Sequence, residues 1–151
     1  MARRMHEDDA ERRVSAWRAA VVGARAAGRA AGVIAGGLPA LLVAPPTLAP
    51  RSLDPTAAAA ATRAALAALR WLARLPGRRW RDTCLFRATA ECLVLRAAGL
   101  PALVRLGVAV EAPDVVAHAW AECPGVRCAT ADGGETSRYR VLAPPAGRAT
   151  A

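Results

Sequence analysis

The chain has 151 residues, 54% of them hydrophobic, and a net charge of +9, so it can bury one core without disulfide staples. All 21 basic residues are arginine, and lysine, asparagine and glutamine are absent, so compositional bias accounts for much of the basic surplus. The arginines are scattered and aromatics make up only 4%, which argues against a nucleic-acid binder that stacks bases.

Residues 1–13, MARRMHEDDAERR, read as a solvated charged arm without the apolar core of a secretory signal. Cys84, Cys92, Cys123 and Cys128 are therefore expected as free thiols in a reducing cytoplasm. A helical pattern runs from residue 14 to about residue 35. Residues 30–50 are uncharged, but Gly36, Gly37, Pro39, Pro45, Pro46 and Pro50 interrupt them. A buried helical segment or a peripheral membrane contact is expected there rather than a spanning helix. Residues 1–50 thus form an N-terminal arm and helical segment, 51–142 the main domain, and 143–151 a flexible tail.

Within the main domain, Asp54 as N-cap and Pro55 at the first helical position open a helix. Its apolar stripe is Leu66, Leu69, Leu72 and Leu75, and PGRR at 76–79 ends it. Asp82 or Thr83 caps a second helix, which stops at Gly99 before Pro101. Leu85, Ala88, Cys92, Leu95 and Ala98 give it one core-facing side. The period then changes to that of strands, over 102–111 and 115–123, with a turn at Pro113 and Asp114. Pro124 and Gly125 signal a hairpin into VRCAT, and RYRVL is a last short strand. Helices followed by an antiparallel sheet make the fold class α+β.

Cys84 falls in the first turn of the second helix, where unpaired amides and the helix dipole favour a thiolate. Cys92, two turns on, reads as a small buried hydrophobe. His6 lies in the charged arm, so His118 is the candidate partner, on a strand face shared with Val116, Trp120 and Glu122. A thiol at a helix start and a histidine on a strand suit nucleophilic Cys/His catalysis. Asp132 is the candidate acid to orient the imidazole. A two-residue loop at Pro124 and Gly125 would turn it to the wrong face, whereas a three-residue loop would bring it to the face of His118. Glu122 is the fallback acid and Asp114 a weaker one. A zinc site from Cys123, Cys128, His118 and Cys84 fits poorly: the cysteine pair is widely spaced and lacks a second pair. No metal is expected.

The segment CLFRATAECLVLRAAGLPALVRLGV followed by AHAWAE resembles the lasso peptide leader peptidases, a bacterial branch of the transglutaminase-like cysteine peptidases. Cys-Leu-x-Arg stands at 84–87, Leu-Pro-Ala at 100–102, LVRLGV at 103–108 and Ala-His-Ala-Trp-x-Glu at 117–122. The resemblance covers residues 55–142 and, more loosely, the N-terminal helices. It implies a transglutaminase-like (papain-like) fold with N-terminal helices and a nucleophile-bearing helix packed on a small antiparallel sheet. It implies a stand-alone cysteine peptidase, without cofactor, that cuts the leader from a ribosomally made precursor. Its partners would be that precursor, a leader-binding recognition-element protein and an ATP-dependent macrolactam synthetase. Cys84, His118 and Asp132 would be catalytic, with Thr83 and Trp120 near the oxyanion site. In the family the acid stands near the position of Thr130, so in ATAD it is displaced by two residues. That displacement leaves open a non-catalytic scaffold that binds the precursor or the synthetase.

Overall fold

A computed structural model describes residues 2–45, 53–76 and 79–142, and the side chains of these except 2–14, 55 and 132–135. The tail expected over 143–151 lies outside the described residues. The first helix, α1 (Ala2–Gly36), runs unbroken through the segment read as a charged arm. Alanine and arginine, both strong helix formers, continue its pattern on either side of Val14. A short 3-10 helix (Leu38–Leu41) follows, with Pro39 in its first turn. Leu41 is buried on the sheet side of the molecule and Val33 and Leu42 pack beside it, so this part of the apolar segment enters the core. No helix among the described residues is long and apolar enough to cross a membrane.

Helix α2 (Pro55–Leu72) starts as its sequence dictates: the Asp54 carboxylate accepts the Ala57 N–H at 2.8 Å and Pro55 holds the first turn. Of the leucine stripe, its buried face takes Leu69 and, in part, Leu72; the rest of that face is mostly alanine. Ala58, Ala61, Ala65 and Leu69 are the core positions, Leu66 is only partly buried, and Leu75 is 39% exposed. Small side chains win here because α1 lies very close. A Cβ on Gly23 would overlap the Ala61 carbonyl and stand 2.7 Å from the Ala65 nitrogen. Alanine and glycine let two helix backbones approach in a way leucine would prevent.

Helix α3 (Cys84–Ala97) is the central element. Phe86, Ala90 and Val94 face α1 and α2, while Ala88, Cys92 and Leu95 face the sheet. The single core face expected from the sequence is therefore two faces, which is why an apolar surface covers most of the helix. Gly99, at φ 79°, ends it, with the Leu100 N–H returning to the Leu95 carbonyl at 3.0 Å. Arg96 then ties three segments together, donating to the carbonyls of Ala40, Val43 and Ala102.

The sheet is antiparallel, in the order β2-β1-β3, built from β1 (Leu103–Glu111), β2 (Asp114–Glu122) and β3 (Arg140–Val141). The β1–β2 hairpin turns at Ala112 and Pro113, and its register pairs Leu103 with Glu122 and Gly107 with His118. Val104, Ala119 and Ala121 face α3. Ala109, Trp120 and Tyr139 form a smaller cluster on the opposite face. This α+β architecture places the start of α3 and the middle of β2 around the candidate site.

Candidate active site

Thr83 occupies the N-cap of α3 with extended backbone angles, φ −107° and ψ 163°, and its hydroxyl makes no capping bond. Asp82, the other predicted cap, lies instead beside Arg70 and Arg87, at 4.0 and 3.9 Å. The first-turn amides of α3 are thus left without a side-chain acceptor, at the positive end of the helix dipole. Cys84 is the first helical residue, half-buried, and packs against the apolar cluster between α3 and the sheet. A thiol here stands beside donors suited to a developing oxyanion.

The other three thiols are buried. Burial pushes Cys92 up to about 11, against a lowering by the Arg96 guanidinium. Burial and then the Glu91 carboxylate push Cys128 up to about 12, and burial raises Cys123. Thiols held protonated in this way are poor nucleophiles at neutral pH. Among the described residues no group of three or more His, Cys, Asp or Glu is placed to hold a metal ion.

His118 sits in the middle of β2, opposite Gly107. Strand alternation puts it with Trp120 on the face away from α3. Its ring lies 5.9 Å from that of Trp120, stacked at 20°, and 5.1 Å from that of Tyr139. Gly107 makes room for this aromatic cluster. A Cβ there would stand 2.8 Å from the Tyr139 Cβ and 2.9 Å from the Trp120 ring. The structure therefore brings His118 to Trp120 and Tyr139, on the sheet face opposite the one that packs on α3. Cys84 packs with the residues of the other face, those toward α3.

The predicted hairpin into VRCAT does not form. Only an isolated bridge joins Cys123 and Val126, over a turn with Gly125 at φ 71°. From Ala129 the chain winds into a 3-10 helix (Ala129–Arg138), and β3 then pairs with β1, not with β2. The strand registers that would have set Asp132 opposite His118 do not exist. Asp132 stands in the first half of the 3-10 helix, and its side chain lies outside the described residues.

Glu91 is the physical reason for this path. Its carboxylate, 2% exposed, accepts the N–H groups of Ala129 at 2.6 Å and Thr130 at 2.8 Å, and the Thr130 hydroxyl at 2.5 Å. The Thr130 oxygen in turn accepts the Ala121 N–H of β2 at 2.8 Å. A buried carboxylate thus caps the 3-10 helix, and a side chain takes a β2 donor that a further strand would have used. Sequence reasoning missed Glu91. The available signal was a lone acid in the apolar run LFRATAECLVL, directly beside a core cysteine.

Glu122, the fallback acid, is engaged by Arg105 through two hydrogen bonds of 3.0 and 3.3 Å. Asp114 is exposed at the start of β2. Trp120 is buried at 5% exposure as part of the ring cluster.

A family model described as the transglutaminase-like superfamily matches residues 26–143. The chain belongs to the transglutaminase-like superfamily. The match begins inside α1 and runs through all three strands, so it includes the helix pair as well as the sheet. No curated protein and no solved structure gives a significant match. The superfamily includes cysteine peptidases and transglutaminases, both of which work through a thiol, and in this member Cys84 is the one half-exposed thiol.

Proposed function

We propose that this transglutaminase-like protein is a cysteine peptidase that removes the leader from a ribosomally made lasso peptide precursor. The observation that carries the reading is Cys84, the one half-exposed thiol of the chain, at the uncapped start of α3. The words CLFR and AHAWAE support the leader-peptidase branch. His118 takes the Cys84 proton, and the thiolate attacks the carbonyl carbon at the leader–core junction. The N–H of Cys84, in the first turn of α3, holds the oxyanion, with Thr83 beside it. The C–N bond breaks, His118 returns the proton to the leaving amine, and a thioester remains on Cys84. Water, deprotonated by His118, then hydrolyses the thioester, releasing the carboxylic acid and restoring the thiol. Asp132 orients the imidazole. In this reading His118 leaves its place beside Tyr139 and reaches the thiol around the free edge of β2. A recognition-element protein presents the leader, and a macrolactam synthetase receives the core peptide, in the cytoplasm or at the membrane surface.

A second reading is a non-catalytic scaffold that binds the precursor or the synthetase. It is favoured by the placement of His118, stacked on the face of the sheet away from α3. Mass spectrometry of the precursor, incubated with the chain and its recognition partner, separates the two. The peptidase reading expects leader release by the native chain and a fall on the order of 10⁴-fold in Cys84→Ala. An intact precursor with both chains, in a pathway that still runs, leaves only the scaffold.

A further inference from the structure

Helices α2 and α3 and the loop over 124–129 enclose a cavity of about 700 Å³. Ligand pockets span about 300–1,000 Å³, so it is large enough for a bulky side chain and its neighbours. Leu53, Ala58, Leu95, Leu100 and Val126 give it apolar walls. Arg63 and Arg127 also line it, and both are exposed. Arg70, Arg87, Arg105 and Arg138 each stand beside a carboxylate, whereas neither Arg63 nor Arg127 has an acid partner among the described residues. The one acid among the described wall residues, Glu91, already has its oxygens occupied by Ala129 and Thr130. The opening therefore carries two guanidinium groups, without an acid partner among the described residues, above an apolar floor.

We infer that this cavity binds an acidic peptide segment. A bulky aliphatic side chain fills the floor, and neighbouring carboxylates meet Arg63 and Arg127. Guanidinium groups suit carboxylates because they can offer two parallel donors to one acid. An acidic peptide is the occupant because the cavity joins an apolar floor to two guanidinium groups at its opening, and its wall residues Glu91 and Leu95 belong to the helix that Cys84 starts. Glu91 and Leu95 follow Cys84 by about two and three turns on the same side of α3, roughly 10 and 16 Å along its axis. The distance from the cut bond rests on the peptidase reading; the binding itself does not.

The test uses the full chain carrying Cys84→Ala, so that nothing is cut. Fluorescence anisotropy measures binding of a fluorescein-labelled synthetic peptide with the core Glu-Leu-Glu in a Gly/Ser background. Replacing the peptide's Leu by Ser, or both Glu by Gln, is expected to weaken binding about tenfold or more. The same loss is expected for Arg63→Glu with Arg127→Glu, and for Ala59→Trp, which fills the cavity from an exposed position of α2. Arg63→Gln and Arg127→Gln give milder losses and keep the test open if a charge reversal disturbs folding. Equal affinity across the folded variants, no binding of the peptide at millimolar concentration, or binding of decanoate without the peptide overturns the inference. A chain that binds as stated but never cuts precursor sinks the peptidase reading alone. One that cuts precursor yet fails the binding test sinks this inference alone.

Discussion

Between α1 and α2 the contact is made by Ala19, Gly23, Ala26, Ala61 and Ala65, spread along two helices. Between α3 and the segment that follows β2, it depends on one carboxylate, that of Glu91. Many small apolar contacts make the helix pair tolerant of the loss of any one, but intolerant of added volume. A buried charge behaves in the opposite way. It leaves the region dependent on a single side chain, because its partners have no water to turn to once it is gone. Both candidate catalytic segments touch these regions: α3 packs on the helix pair, and Asp132 rides on the helix that Glu91 caps.

The largest effect should come from Glu91→Ala. It strands the Ala129 and Thr130 N–H groups and is expected to cost about 3–5 kcal/mol. Hydrogen exchange should show loss of protection at those two amides before any change in α2. Unchanged protection would mean that the carboxylate is not what holds the segment. Next is Gly23→Ala, whose Cβ would overlap the Ala61 carbonyl and press on the Ala64 Cβ at 2.8 Å. A net loss of about 2 kcal/mol is expected despite alanine's better helix propensity. Gly28→Ala, where a Cβ meets nothing within 4 Å, should instead stabilise by up to about 1 kcal/mol. Denaturant midpoints of the two variants moving the same way would remove the distinction between them.

Stability should also fall in alkali. Cys92 and Cys128 have folded-state values of about 11 and about 12 against 9.0 for an ordinary thiol. Below pH 9.0 both states keep their protons and the full stability is present. Above it the unfolded chain releases protons that the folded chain retains, at a cost of about 1.4 kcal/mol per pH unit for each thiol. Urea titrations on both sides of that pH check the slope, which Cys92→Ala should reduce by that thiol's share. The smallest effect is that of Thr89→Val. The Thr89 hydroxyl is buried without a partner, and a methyl of the same shape should stabilise by about 1 kcal/mol, read as a rise in Tm.

Much of the framework was legible in local chemistry. Asp54 and Pro55 start α2, Gly99 ends α3, and strand alternation with a proline turn yields β1 and β2. What was misread shares one feature, namely dependence on a distant partner. Leu66 and Leu75 looked like core of α2, but α1 approaches closely enough to select alanine on either side of Leu69. The segment VRCAT looked like a strand until Glu91, 38 residues before Ala129, captured its end. Arg96, which no local pattern singles out, bonds the carbonyls of Ala40 and Val43.

For the site itself, the sequence determined the chemistry available: a thiol at a helix start, an imidazole on a strand, and an arginine-only basic surplus. Helix caps and strand periods act over a few residues, so they can be read in order along the chain. The tertiary structure decided which face His118 occupies, which donors Glu91 claims, and which two arginines stand beside a cavity. Those outcomes follow from burial and close packing between elements far apart in sequence, and no local pattern encodes them.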